Sequence, residues 1–301
     1  THLALGNLFR RRGEVERAIR IHQNLIARPA LTREQRAQAL LELGQDYMRA
    51  GLFDRAENLF RELKETKLHV KSALRNLLVI YEKESDWQAC LEVADQLESI
   101  IGRKMLLQKS HYRCELAIAA KAEGRNADAS AQLKKALASN RGFVRANHLQ
   151  AQFAASQGDY PAAVRLLRQT VEQDPAYLPE VLPELVAAFR HLGDLQALRA
   201  YLQEVAANHP GMGAELALAE LVREEEGDIA AADFLAEQLA RTPSLTLLLR
   251  SIELNARMPD SQCSRFLEGL RPHVRRLLER PMLRSVVPAA VAAKLLAAAM
   301  R

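Results

Sequence analysis

The stretch from Gly44 to Phe60, GQDYMRAGLFDRAENLF, decides the fold. Gly44 and Tyr47 lie about one helical turn apart, and Ala56 and Phe60 lie about one turn apart on a second run. Gly51 stands between the two runs as the residue that reverses the chain. Small side chains opposite large ones let two helices approach closely and interlock, so the stretch predicts an antiparallel helix pair joined at Gly51.

Moving outward, the small residue of the second helix recurs at Ala18, Ala56, Cys90, Ala129, Ala163, Leu198 and Ala232, at intervals of 38, 34, 39, 34, 35 and 34 residues. Five residues before each stand Gly13, Gly51, Ser85, Gly124, Gly158, Gly193 and Gly227. Of the 13 glycines in the chain, six fall at this one place, where a helix ends in a left-handed residue that glycine adopts without a Cβ penalty. Pro175, Pro210 and Pro243 follow the last three second helices and stop them. The longer intervals contain ARPALTREQ, with Thr32 as an N-cap and Glu34 or Gln35 in the first turn, and SIIGRKM at 99–105.

A period near 34 residues with these small and turn positions resembles the tetratricopeptide repeat (TPR). The expectation is an all-α TPR solenoid of seven helix pairs, wound as a right-handed superhelix over residues 1–243. A divergent or capping helical pair follows at 244–281, and an apolar, basic-flanked tail at 282–301. Composition agrees: aromatics are only 5% of the chain and strand-forming signals are few. Tyr47, Phe60, Tyr81, Phe189 and Phe234 fall at packing positions, and Trp87 is placed to cover the Cys90 region.

The net charge of +5 is unevenly distributed, because residues 270–301 carry six Arg, one Lys and one Glu, leaving the body near −1. A neutral body argues against nucleic acid as a partner, since that binding rests on many phosphate contacts. The basic tail keeps a membrane-surface or acidic-partner role open. Three cysteines, Cys90, Cys114 and Cys263, with no CxxC spacing give no disulfide framework, and each reads as a small buried residue suited to a reducing cytoplasm. The most apolar run, 286–300, contains Pro288 and Lys294 and is too short to span a bilayer. The chain opens at Thr1 already inside a helical pattern and reads as a fragment.

No reactive cluster points to an enzyme. There is no HExxH, no phosphate-binding GxxxxGK[ST] and no GxGxxG, and GMG at 211–213 reads as a turn. A partner-binding surface is better supported. Positions 5, 9 and 12 of each repeat share one stripe of the first helix. They are Leu3, Asn7 and Arg10; Leu41, Gln45 and Met48; Arg75, Val79 and Glu82; Cys114, Ile118 and Lys121; His148, Gln152 and Ala155; and Pro183, Ala187 and Arg190. Arg11, Arg49, Lys83 and His191 flank them. This mixed, mildly basic lining suits a protein segment. Charge reversal at Arg10 and Arg49 is expected to weaken capture without unfolding the array.

Residues 1–66, together with YRCELA at 112–117 and LRPHVRRLLERP at 270–281, resemble the lipopolysaccharide assembly protein B family. The resemblance implies an N-terminal membrane anchor, TPRs on the cytoplasmic face of the inner membrane, and a C-terminal rubredoxin-type zinc module with two CxxC pairs. It also implies a non-catalytic adaptor that restrains lipopolysaccharide synthesis. Such an adaptor brings the committing deacetylase of lipid A synthesis to the membrane protease FtsH, under a membrane regulator, with self-association expected. The chain departs from that pattern after Arg280, where PMLRSVVPAAVAAKLLAAAMR contains no cysteine, so zinc is not carried over and no cofactor is expected. This tail is open to being foreign, a native substitute or a fused partner peptide. It is expected first to pack on the array or a second copy, with filling the groove and touching a membrane as the further readings. The alternative to the adaptor is a general TPR cochaperone or secretion scaffold that binds apolar peptide tails.

Overall fold

In a computed structural model, residues 2–255 are described, apart from 211, 212 and 243. The tail at 282–301, most of the 244–281 pair and Cys263 lie outside the described residues. The described chain is helical, and it divides into two compact units, Thr1–Ala146 and Asn147–Arg301.

The first unit contains four helix pairs: α1 (His2–Arg11) with α2 (Val15–Ile26), α3 (Arg33–Arg49) with α4 (Phe53–Glu65), α5 (Val70–Glu84) with α6 (Trp87–Ile101), and α7 (Leu106–Ala122) with α8 (Asn126–Ser139). α9 (Val144–Ser156) begins at its end. The second unit continues with α10 (Tyr160–Gln173), α11 (Leu178–Leu192), α12 (Leu195–Asn208), α13 (Ala214–Glu226), α14 (Asp228–Arg241) and α15 (Leu245–Asn255). The helix pairs match the sequence reading. α15 packs Leu247, Leu248 and Leu254 into the core made by α13 and α14, covering the last pair.

The repeat markers explain why each pair closes. All seven are at most 1% exposed, so they sit buried where the helices meet, and five of them are alanine. The seven turn residues all have positive φ, including Ser85 at 58°, the one position without glycine. A Cβ on Gly44 would lie 2.5 Å from Phe60 Cε1, and Phe60 is fully buried, so the contact that defines the second pair needs glycine. Thr32 caps α3 through a reciprocal capping box with Gln35. The aromatic positions also pack as expected. Tyr47, Phe60, Tyr81 and Phe189 are buried and Phe234 is partly buried. Trp87 stacks on Tyr112 with ring centroids 6.1 Å apart, covering the core around Cys90.

Candidate interaction surface

The stripe residues divide into those that face solvent and those that hold the repeats together. Leu41 and Cys114 are buried and belong to the core rather than to a lining. The helical phase at these repeats turns position 5 inward, where it packs between neighbouring helices.

Arg10 is engaged as well. It donates from Nη1 to Asp46 Oδ1 at 2.8 Å and to the Glu42 carbonyl at 3.0 Å, and from Nη2 to Glu42 Oε2 at 2.7 Å. Burial alone would lower its pKa, but the bonds to Glu42 and Asp46 outweigh that and raise it. Asp46 is fully buried, and its second oxygen lies 2.5 Å from His22 Nδ1, itself fully buried. Arg10 is thus a clasp between the first and second repeats, and Arg10→Glu would set a third carboxylate beside Asp46 and Glu42.

His22 and Asp46 were not singled out in the sequence, although the repeat register contains their signal. His22 stands four residues after its marker, where Phe60, Leu133, Leu167 and Leu202 stand in other repeats. Asp46 occupies a column held elsewhere by Leu8, Ile80, Ala119, Phe153, Ala188 and Val222. Two ionisable residues in otherwise apolar columns mark a buried polar contact. Gly6 repeats the role of Gly44 here, since a Cβ on it would run into the His22 ring.

Inter-repeat pairing recurs in the second unit. His148 is buried, with Nε2 2.9 Å from Glu184 Oε2, and Gln152 donates to Glu184 Oε1 at 2.7 Å. Arg190 donates to both oxygens of Glu224 at 2.6 and 2.8 Å, and His191 stacks on Tyr160 with centroids 4.3 Å apart. Pro183 and Ala187 are exposed, and Ala155 is half-buried. These side chains present a surface whose charges are largely matched within the array.

The open part of the stripe lies in the first unit. Arg11, Arg49, Arg75, Lys83 and Lys121 are exposed, Asn7 and Gln45 are half-buried, and Val79 and Ile118 are each 40% exposed. Lys83 also sits 5.5 Å over the Phe53 ring, and Glu82 accepts a short hydrogen bond from the Tyr112 hydroxyl. Apolar side chains at position 9 with cations around them can take an extended segment carrying apolar and acidic residues.

The same geometry bears on metal chemistry. Burial pushes the Cys90 thiol up to about 12, with Glu82 and Asp86 adding to it, and pushes the Cys114 thiol up to about 11. A zinc ligand needs the opposite, a stabilised thiolate. No group of three or more His, Cys, Asp or Glu among the described residues could hold a metal ion. Cys90 and Cys114 are therefore core residues rather than metal ligands. No helix among the described residues is long and apolar enough to cross a membrane.

Stacked helix pairs with this register define a tetratricopeptide repeat protein, and that family matches residues 1–37 and 114–177. The chain is 38% identical over 244 residues to lipopolysaccharide assembly protein B of Escherichia coli K12, covering 81% of this chain and 63% of that protein. To the protein of the same name from Haemophilus influenzae it is 35% identical over 268 residues, covering 89% and 67%. The chain belongs to the lipopolysaccharide assembly protein B family, and it spans 63% of the length of the Escherichia coli relative. Among solved structures it is similar to a tetratricopeptide repeat protein from Parabacteroides merdae, with TM-score 0.39, 15% identity, and 84% and 96% of the two chains covered. It is also similar to YrrB, described as a TPR protein with an unusual peptide-binding site, with TM-score 0.37, 14% identity, and 61% and 90% covered.

Proposed function

We propose that this chain is the repeat portion of a non-catalytic adaptor that restrains lipopolysaccharide synthesis. It presents the deacetylase that commits lipid A synthesis to the membrane protease FtsH, at the cytoplasmic face of the inner membrane and under a membrane regulator. Family membership across most of the chain carries this reading, and it weighs against the general cochaperone alternative. The open stripe of the first unit supports it, because exposed Val79 and Ile118 among Arg49, Arg75 and Lys83 offer a surface for a protein segment and no convergent set of reactive groups.

The test is a pull-down from a Gram-negative lysate with the whole chain and with an Arg49→Glu/Arg75→Glu variant, read by mass spectrometry. Recovery of the deacetylase or FtsH with the parent, and loss with the variant, is expected. Recovery of chaperones with neither of those proteins would replace the adaptor with the cochaperone.

A further inference from the structure

Each short connection in the first unit reverses the chain, so the connections from second helices to first helices gather on one rim and the turns within pairs on the other. Contacts join the former along the rim. Arg33 Nη2 donates to the Thr66 carbonyl at 2.7 Å, joining the first of these connections to the second. Leu68, Val70 and Met105, from the second and third connections, pack on one core.

The two rims differ in charge. Counting each connection with three residues of helix on either side, the joining rim comprises 24–35, 63–72, 99–108 and 137–146, and it contains nine Lys and Arg against only Glu34 and Glu65. The turn rim, counted in the same way as 9–17, 47–55, 82–89 and 120–128, contains nine basic against eight acidic residues. The excess is therefore local to one edge of a unit whose body is otherwise near neutral.

Apolar side chains protrude from that edge. Ile100, Leu106 and Leu107 are 47%, 43% and 60% exposed, on either side of exposed Arg103 and Lys104. Lys104 reaches no closer than 3.8 Å to Glu98. Val79 and Ile118 lie along helices, where an extended segment can follow them, whereas these aliphatic residues stand at the tip of a basic connection on one edge. They match a bilayer surface, where cations meet anionic headgroups and aliphatic side chains enter the acyl boundary.

We propose that this rim of the first unit docks on an anionic lipid bilayer, with the 99–108 connection inserting and the turn rim facing away. The proposal is independent of which proteins the stripe captures. Purified whole chain is floated with phosphatidylcholine vesicles containing or lacking phosphatidylglycerol, at low and high salt. Binding is expected only with phosphatidylglycerol, weakening with salt. Arg103→Glu/Lys104→Glu should weaken it by about thirtyfold or more, from the per-residue contribution of surface cations. Arg12→Glu/Arg55→Glu on the turn rim should leave it within about twofold, since those side chains are then remote from the lipid.

Orientation is read by fluorescence. The single Trp, Trp87, lies at the turn rim, so lipids brominated on their acyl chains should not quench it, whereas a Trp87→Phe/Leu107→Trp variant should be quenched and blue-shifted. Equal losses from both reversals would overturn the proposal, as that pattern reports a diffuse charge effect or binding through the basic residues at 270–301. Binding to polyglutamate but not to vesicles would also overturn it, in favour of an acidic protein partner. Circular dichroism melts of every variant confirm that folding is intact.

Discussion

Replacing Arg10 with alanine should destabilise the first unit far more than an exposed arginine substitution, because it removes a cation from a carboxylate that water does not reach. Asp46 is fully buried, while the Arg10 side chain keeps 18% of its exposure. Removing one partner of a buried ion pair typically costs about 3–5 kcal/mol. Asp46 retains His22 at 2.5 Å, and Arg10 is partly solvated, so the low end, about 3 kcal/mol, applies here. For a unit of this size that corresponds to a midpoint lowered by about 6–12 °C. Arg49→Glu, on the exposed stripe, should stay within about 0.5 kcal/mol. The assay is urea and thermal unfolding of the whole chain followed by circular dichroism, with the transition of the first unit assigned by hydrogen exchange at α1 and α3. Arg10→Ala combined with Asp46→Asn should recover part of the loss, because the unpaired buried charge is then gone. Equal, sub-kilocalorie effects for Arg10→Ala and Arg49→Glu would refute the reasoning and return Arg10 to the surface.

Other substitutions test the packing and turn arguments. Gly44→Ala gains helix propensity of about 1 kcal/mol but forces a Cβ onto the buried Phe60 ring, so a net loss of about 1–2 kcal/mol is expected in urea melts, relieved by Phe60→Leu. Ser85→Gly should stabilise by about 0.5–1 kcal/mol, since φ is 58° there and the six equivalent turns use glycine. Glu98 accepts from the Met105 backbone N–H at 2.6 Å and from Lys109, which hold its pKa below the ordinary carboxylate value despite opposing burial. Its folded pKa is depressed, so its stabilisation is present above the unfolded pKa and lost as pH falls through the folded one. Glu98→Gln should flatten that acid limb of the stability profile. Cys90 and Cys114 should resist alkylation near pH 8 in the folded chain and react on unfolding, as peptide mapping would show, because burial raises both thiols.

Much of the fold is legible in residue spacing, because a repeat makes the same physical demand several times. Ser85 adopts the same left-handed turn as the glycines around it, and its place in the register identifies the turn where its side chain does not. The interaction stripe is less legible. Counting helical positions finds the face but not the pairing, since Arg10, His148 and Arg190 find carboxylates on the following repeat's first helix, 32 to 36 residues away. Those partners are invisible to any reading that treats one repeat at a time. The His22–Asp46 contact was missed for a related reason. Its signal is a departure from the columns that other repeats keep apolar, and it appears only when the columns are compared. The charge difference between the rims requires knowing which connections share an edge, which the alternation of helices supplies.

The polar clasp between the first two pairs also has a mechanical consequence. In a linear stack each module leans on its neighbours, so resistance to fraying is set by individual junctions. The second pair is closed by an aromatic ring seated on a glycine, whereas the first is joined to its neighbour through an imidazole, a carboxylate and a guanidinium. Hydrocarbon contacts tolerate small displacements, whereas a hydrogen-bonded junction loses its partners once they part by about an ångström. Under tension the array should part at this clasp first, while the Phe60-centred module behind it keeps its shape.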